Sequence, residues 1–164
     1  MVIRYPTSSE QVLRMLTDLA FLEFRWTQIP ETQCQVQLES MGAATYISRV
    51  KVDIEQFKIS SSYGKLLPDQ LVIEVTERWR DKPGPGLVAR GELQLRVEKI
   101  PLRVQAETSL ESVGTGRNQS LRRINGNLRV DIPLIGGKVE REILTHLPDF
   151  AHGEEEAAKR WLAK

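Results

Sequence analysis

Between residues 32 and 132 the chain alternates apolar and polar positions with a period of two, a pattern that fits a large antiparallel sheet with one face buried and one wet. TQCQVQLES puts Cys34, Val36 and Leu38 on one face, TYISRVKVDI puts Tyr46, Ser48, Val50 and Val52 together, and LVIEVTERW aligns Leu71, Ile73, Val75, Glu77 and Trp79. Three further runs continue the pattern: Leu87, Ala89, Gly91, Leu93, Leu95 and Val97; Leu102, Val104, Ala106, Thr108 and Leu110; Arg122, Ile124, Gly126, Leu128, Val130 and Ile132. Arg90, Glu92, Gln94 and Arg96, with Arg103, Gln105 and Glu107, occupy the opposite phase. Turn signals at 41–42, 81–86, 99–101 and 114–116 separate the runs, so the strands are expected to form a meander.

The flanks change period. VIRY reads as a short strand ending at Pro6; Thr7, Ser8 or Ser9 then caps a helix, with Glu10 or Gln11 placed for a capping box and Val12, Leu13, Leu16, Leu19, Ala20 and Phe21 at helical spacing. One or two short helices are expected through about residue 27, before Pro30. From Ile135 to Lys164 the spacing is again helical, with Ile135, Val139, Ile143, Leu147, Phe150, Ala157 and Trp161 in one stripe. Pro148 and Gly153 predict a kink or break between about 145 and 154. A sheet wet on one side needs cover on the other, and this tail is the element long enough to supply it.

A length of 164 residues fits a single domain over 1–164. Lys+Arg at 23 against Asp+Glu at 22 leaves a net charge of +1, which offers no broad field for phosphate backbones, so nucleic acid is not expected as a partner. The start lacks an apolar signal core and no run reaches the ~20 residues of a membrane span, so a cytoplasmic location and no stable membrane insertion are expected. Cys34 is read as a small core residue. His146 and His152, six apart, do not stack on one helical face; no metal site and no cofactor is expected. Gly114 and Gly116 fit a hairpin turn better than a phosphate loop, and Glu154–Glu156 reads as a solvated helix face.

The opening PTSSEQVLRMLTD, the strand LVIEVTERWR, the junction VDIPLIGGKVER and the tail EEEAAKRWLA resemble the DUF2505 family, uncharacterised actinobacterial proteins within the START/Bet v 1-like (SRPBCC) superfamily. The resemblance spans most of the chain, and residues 133–140 are its most specific part. It implies an α+β helix-grip fold: a seven-stranded curved antiparallel sheet wrapped around a long C-terminal helix, with two short helices after the first strand. It also implies an apolar ligand held between sheet and helix. Some superfamily members are cyclases, dehydratases or hydrolases, but the family pattern transfers no catalytic residues.

The inner face carries small residues at its middle, Ser48, Ala89, Gly91, Ala106, Thr108 and Gly126, surrounded by Val50, Ile73, Val75, Leu93 and Ile124. Either the helix backbone sits close, or a cavity remains with Ile143 and Phe150 facing it from the final helix. Phe150 and Trp161 are large enough to fill part of such a space. Polar residues in the buried phase are the candidate anchors for a ligand's polar end: Glu77, Arg122, His146, Tyr46 and Trp79. The alternative places Glu77 and Arg122 at strand ends near water and gives His146 a carbonyl freed by Pro148. Residues 53–70 fit either a gate over a cavity mouth or a static plug. Gly136 and Gly137 are expected to let the final helix start close to the sheet. The leading functional expectation is binding or carriage of a hydrophobic small molecule, lipid or polyketide-like. The alternatives are a cyclase or dehydratase using Glu77 or His146 as acid/base, and a protein-interaction module with a filled core.

Overall fold

A computed structural model of the chain describes residues 1–30, 32–40, 45–53, 69–80, 87–114, 116 and 118–164. Strand β1 (Val2–Tyr5) leads into helices α1 (Ser9–Leu16) and α2 (Leu19–Thr27). Six strands follow: β2 (Gln33–Ser40), β3 (Thr45–Asp53), β4 (Gln70–Arg80), β5 (Leu87–Val97), β6 (Ile100–Val113) and β7 (Gln119–Val130). Helices α3 (Gly136–Thr145) and α4 (Leu147–Leu162) close the chain. The seven strands form one antiparallel sheet in the order β1-β7-β6-β5-β4-β3-β2, a meander from β2 to β7 closed by β1 beside β7.

Local chemistry sets the helix boundaries. The Ser8 hydroxyl accepts the Gln11 amide N–H at 3.3 Å and the Asp18 carboxylate accepts that of Ala20 at 2.9 Å, so α1 and α2 each begin on a side-chain cap. Gly114 and Gly116 both hold a positive φ at the turn from β6 to β7, as expected of a hairpin. Gly136 starts α3 against the sheet: a Cβ there would stand 2.1 Å from the Val130 carbonyl oxygen. No other residue tolerates that approach.

The C-terminal segment breaks at His146, which ends α3 and precedes α4; Pro148 falls in the first turn of α4, where its missing N–H costs nothing. The break expected between 145 and 154 is therefore at its early end, and Gly153 lies inside a continuous helix. The C-terminal helical segment is thus a pair of helices. Helix α3 packs on β7, and α4 packs on β1 and α2.

Two apolar clusters make up the core. One joins Ile3, Tyr5, Val12, Leu16, Phe21, Leu22, Trp79, Ala89 and Leu110 to Ala151 and Ala158 of α4. The other gathers Val50, Val52, Leu71, Ile73, Val75 and Val97 at the far end of β3, β4 and β5, with Trp26, Ile29 and Cys34 against it. Trp161 does not enter the space over the sheet. Its ring packs on Phe21 and Phe24 of α2, at centroid separations of 5.7 and 5.4 Å. Phe150 is 42 % exposed, so neither large aromatic of the tail fills the interior. Of the segment expected to be a gate or plug, 53–70, residues 54–68 lie outside the described residues, as does the side chain of Ser48.

Candidate functional site

Alternation turns every second residue of β3 to β7 inward, and the strand registers line those residues up in rows across the sheet. One row runs Trp79, Gly91, Thr108, Ile124. The next runs Tyr46, Glu77, Leu93, Ala106, Gly126, and a third runs Val75, Leu95, Val104, Leu128. The first row is sealed: Trp79 and Thr108 are buried, and the indole Cε3 lies 3.2 Å from where a Gly91 Cβ would stand. Ala89 is likewise fully buried in the first core cluster. At these positions small residues mean close packing, not open space.

The inner face opens beside them. Leu93, Leu95, Val104, Ala106 and Leu128 are only half-buried and Gly126 is exposed, although all share the inward phase. Water thus reaches an apolar floor on β5, β6 and β7. A concavity of about 510 Å³ extends over residues 94–97 and 100–105 at the end of the β5–β6 hairpin, and Leu95 and Val104 belong to both.

A cluster of ionic side chains closes the floor at Glu77. Glu77 is 2 % exposed toward the end of β4, in the inward phase between Val75 and Trp79. Its Oε1 accepts from Arg25 Nη2 at 2.5 Å and its Oε2 from Arg122 Nη2 at 3.0 Å. Arg122 also donates through Nε to Thr108 Oγ1 at 3.0 Å and stacks on the Trp79 ring, 5.1 Å from its centroid. Glu154 of α4 faces both guanidinium groups at 3.7 and 3.8 Å and accepts a 3.4 Å hydrogen bond from the Tyr5 hydroxyl. Glu77 and Arg122 each lie three residues from a strand end, as the alternative reading had it, but not near water: both are 2 % exposed. The reading of 154–156 as a solvated face fails at Glu154, whose side chain is 15 % exposed. Glu155 and Glu156 keep it: Glu155 accepts the Arg4 amide N–H at 2.8 Å in an exposed contact, and Glu156 pairs with Lys159 on the surface.

Burial penalises every charge in this cluster, and mutual pairing decides the outcome. Desolvation pushes the Glu77 carboxyl up, but the charges and hydrogen bonds of Arg25 and Arg122 outweigh it and hold the carboxyl at about 2. Desolvation pulls the two guanidinium groups down, and the negative charges around them, Glu77 first and Glu154 with it, more than compensate, so both stay charged. Burial, with the negative charge of Glu154, pushes the Tyr5 phenol up and keeps it neutral. Burial also pushes the Cys34 thiol to about 11, although Cys34 is half-buried at the margin of the second core cluster and not inside it. A carboxylate near 2 with both oxygens occupied neither supplies a proton at neutral pH nor serves as a strong base.

His146 does not join the cluster. It sits at the joint of α3 and α4, with Nδ1 3.3 Å from Asp149 Oδ2 and its side chain 32 % exposed, because the helix break takes it off the apolar stripe. Ile143 is half-buried on α3, and Val50, Ile73 and Val75 pack against one another in the second core cluster. Tyr46, 7 % exposed, lies directly across from Glu77. Sequence reasoning missed Arg25, Tyr5 and Glu154. Each carried the same signal as Glu77, a polar residue in an apolar phase: Arg25 follows Phe21 and Leu22 by four and three residues, Tyr5 follows Ile3 by two, and Glu154 lies three from Ala151 and Ala157. Among the described residues, no group of His, Cys, Asp or Glu is arranged to hold a metal ion, and no helix is long and apolar enough to cross a membrane.

Residues 1–162 match the family model described as "Protein of unknown function (DUF2505)". Among solved structures, a START superfamily protein from Mycobacterium smegmatis aligns over 98 % of this chain and 96 % of its own, with a TM-score of 0.57 at 13 % identity. A Thermus thermophilus protein aligns over 98 % and 95 %, with a TM-score of 0.53 at 15 % identity. No curated protein matches the sequence.

Proposed function

The chain belongs to the DUF2505 family, and from that membership and its START-like fold we propose that it binds a hydrophobic small molecule on the inner face of the sheet, without transforming it. The observation that carries this reading is the apolar floor of Leu93, Leu95, Val104, Ala106 and Leu128, inward in phase yet open to water, with a buried polar cluster at one end. Apolar surface left wet inside a fold is costly, at roughly 25 cal/mol per Å², and an apolar ligand recovers that cost on binding. The engaged, strongly acidic Glu77 and the outlying His146 weigh against the acid/base alternative. Lipid and polyketide-like molecules are the ligand classes this reading favours, because both are largely apolar.

The test is direct. Purified protein is extracted with organic solvent and the extract examined by mass spectrometry, while native mass spectrometry and Nile red titration follow binding by the intact chain. A co-purified apolar molecule or a saturable micromolar dye site supports the proposal. No extractable molecule together with no saturable dye binding defeats it.

A further inference from the structure

Leu134 is 99 % exposed, the most exposed large apolar side chain among the described residues, and its backbone holds a φ of 68°. A leucine in the left-handed region is strained, because its Cβ crowds the following carbonyl, and water gives an apolar side chain nothing in return. Among the described residues one other non-glycine has a positive φ, Lys99 at 62° in the turn from β5 to β6. The two strained sites share one end of the sheet. Leu102 pairs with Val130, and just beyond that pair the Asp131 amide N–H donates to the Pro101 carbonyl at 2.9 Å, which ties the β5–β6 turn to the loop from β7 to α3. Pro101 and Pro133 are exposed beside the tip.

Cations surround this apolar tip, and the acidic groups near them are already engaged. Glu98 pairs with Arg49, Arg103 and Arg129 share the carboxylate of Asp131 at 3.3 and 3.5 Å, and Glu140 accepts the Val130 amide N–H at 2.9 Å. Lys99 and Lys138 are exposed and have no ion-pair partner among the described residues. Positive charge is therefore concentrated here on a chain whose net charge is only +1. An exposed leucine gains by entering the acyl boundary of a bilayer, and lysines and arginines around it gain from anionic headgroups. A nucleic-acid strand would reward the cations and leave the leucine in water. A second copy of the chain, meeting this end symmetrically, would set cations against cations.

We infer that the end formed by the β5–β6 turn and the β7–α3 loop docks on an anionic lipid bilayer, with Leu134 entering the acyl boundary and Lys99 and Lys138 at the headgroups. The contact is peripheral, made by two loops. It does not depend on the apolar floor holding a ligand, although the concavity that includes Leu95 and Val104 lies at the end of this same hairpin.

The full chain is sedimented with phosphatidylcholine vesicles containing about one-third phosphatidylserine, and with vesicles of phosphatidylcholine alone. Saturable binding to the first, weakened by added salt, and far weaker binding to the second are expected. Leu134→Asn puts a polar residue that tolerates a positive φ at the tip, so its melting temperature should stay level or rise while vesicle affinity falls about tenfold. Lys99→Asn combined with Lys138→Gln should lower the affinity about twentyfold, roughly fivefold for each surface cation. Leu134→Trp should add emission that shifts to the blue with the anionic vesicles. Equal binding to the two compositions, or undiminished binding by Leu134→Asn, overturns the inference. So does an absence of binding to the anionic vesicles; if light scattering then shows a dimer that Leu134→Asn dissolves, this end belongs to a second copy of the chain.

Discussion

Glu77 carries two guanidinium groups on one buried carboxylate, and that arrangement fixes what happens when it is changed. Glu77→Gln keeps the shape of the side chain but leaves Arg25 and Arg122 with only the long contacts of Glu154 against two buried charges, so the expected loss of stability is about 3–5 kcal/mol by urea unfolding. Because the folded carboxyl lies near 2 against an ordinary value of 4.5, its contribution is complete above about pH 4.5 and is lost as the pH falls toward 2. Acid titration of the unaltered chain should show stability declining through that window, and Glu77→Gln should flatten the decline. A wild-type profile that stays level between pH 4.5 and 2 would contradict the pairing. At this scale the sequence was half legible. Glu77 and Arg122 stood out because alternation put them among apolar residues, but nothing in a linear pattern says that the arginine of α2 and the glutamate of α4 meet them. Contacts such as Arg25–Glu77, 52 residues apart, come from how helices dock on the sheet.

Among the elements, the strands were read closely and the C-terminal segment incompletely. A period of two survives whatever packs on the sheet, which is why the runs around Ile73, Leu93 and Val104 match β4, β5 and β6. The tail carried one continuous apolar stripe, and Pro148 divides it by serving as the start of a new helix. That division turns Phe150 and His146 outward and leaves the buried face of α4 to Ala151, Ala157 and Ala158. Two of the tail's three glycines, Gly136 and Gly153, then have different roles. Gly136→Ala drives a Cβ against the Val130 carbonyl and is expected to destabilise by more than about 1 kcal/mol, since the obstacle is backbone. Gly153→Ala meets nothing within 4 Å inside α4 and is expected to stabilise by about 0.5–1 kcal/mol. Thermal unfolding of the two variants checks both signs at once.

For the whole molecule, the decisive feature is that helices seal one end of the concave sheet and leave the middle of β5, β6 and β7 open. Filling that floor should separate function from folding. Ala106→Phe places a ring where the inner face is open, so its stability is expected to stay within about 1.5 kcal/mol of the original, while Nile red affinity drops at least tenfold. Full dye affinity in a folded Ala106→Phe protein would place the binding surface elsewhere.

The chain by itself determined the antiparallel sheet, the flanking helices and the presence of polar residues in the buried phase, because alternation, caps and turns are local and are written in consecutive residues. The tertiary structure alone decided which small residues lie against space and which against an aromatic ring. Gly91 and Ala106 look alike in sequence, yet one is sealed beneath Trp79 and the other is half open. Only docking also assembled Arg25, Glu77, Arg122 and Glu154 from α2, β4, β7 and α4. The physical reason is that burial and charge pairing are properties of surfaces brought together across the fold, and a linear sequence carries their ingredients without their distances.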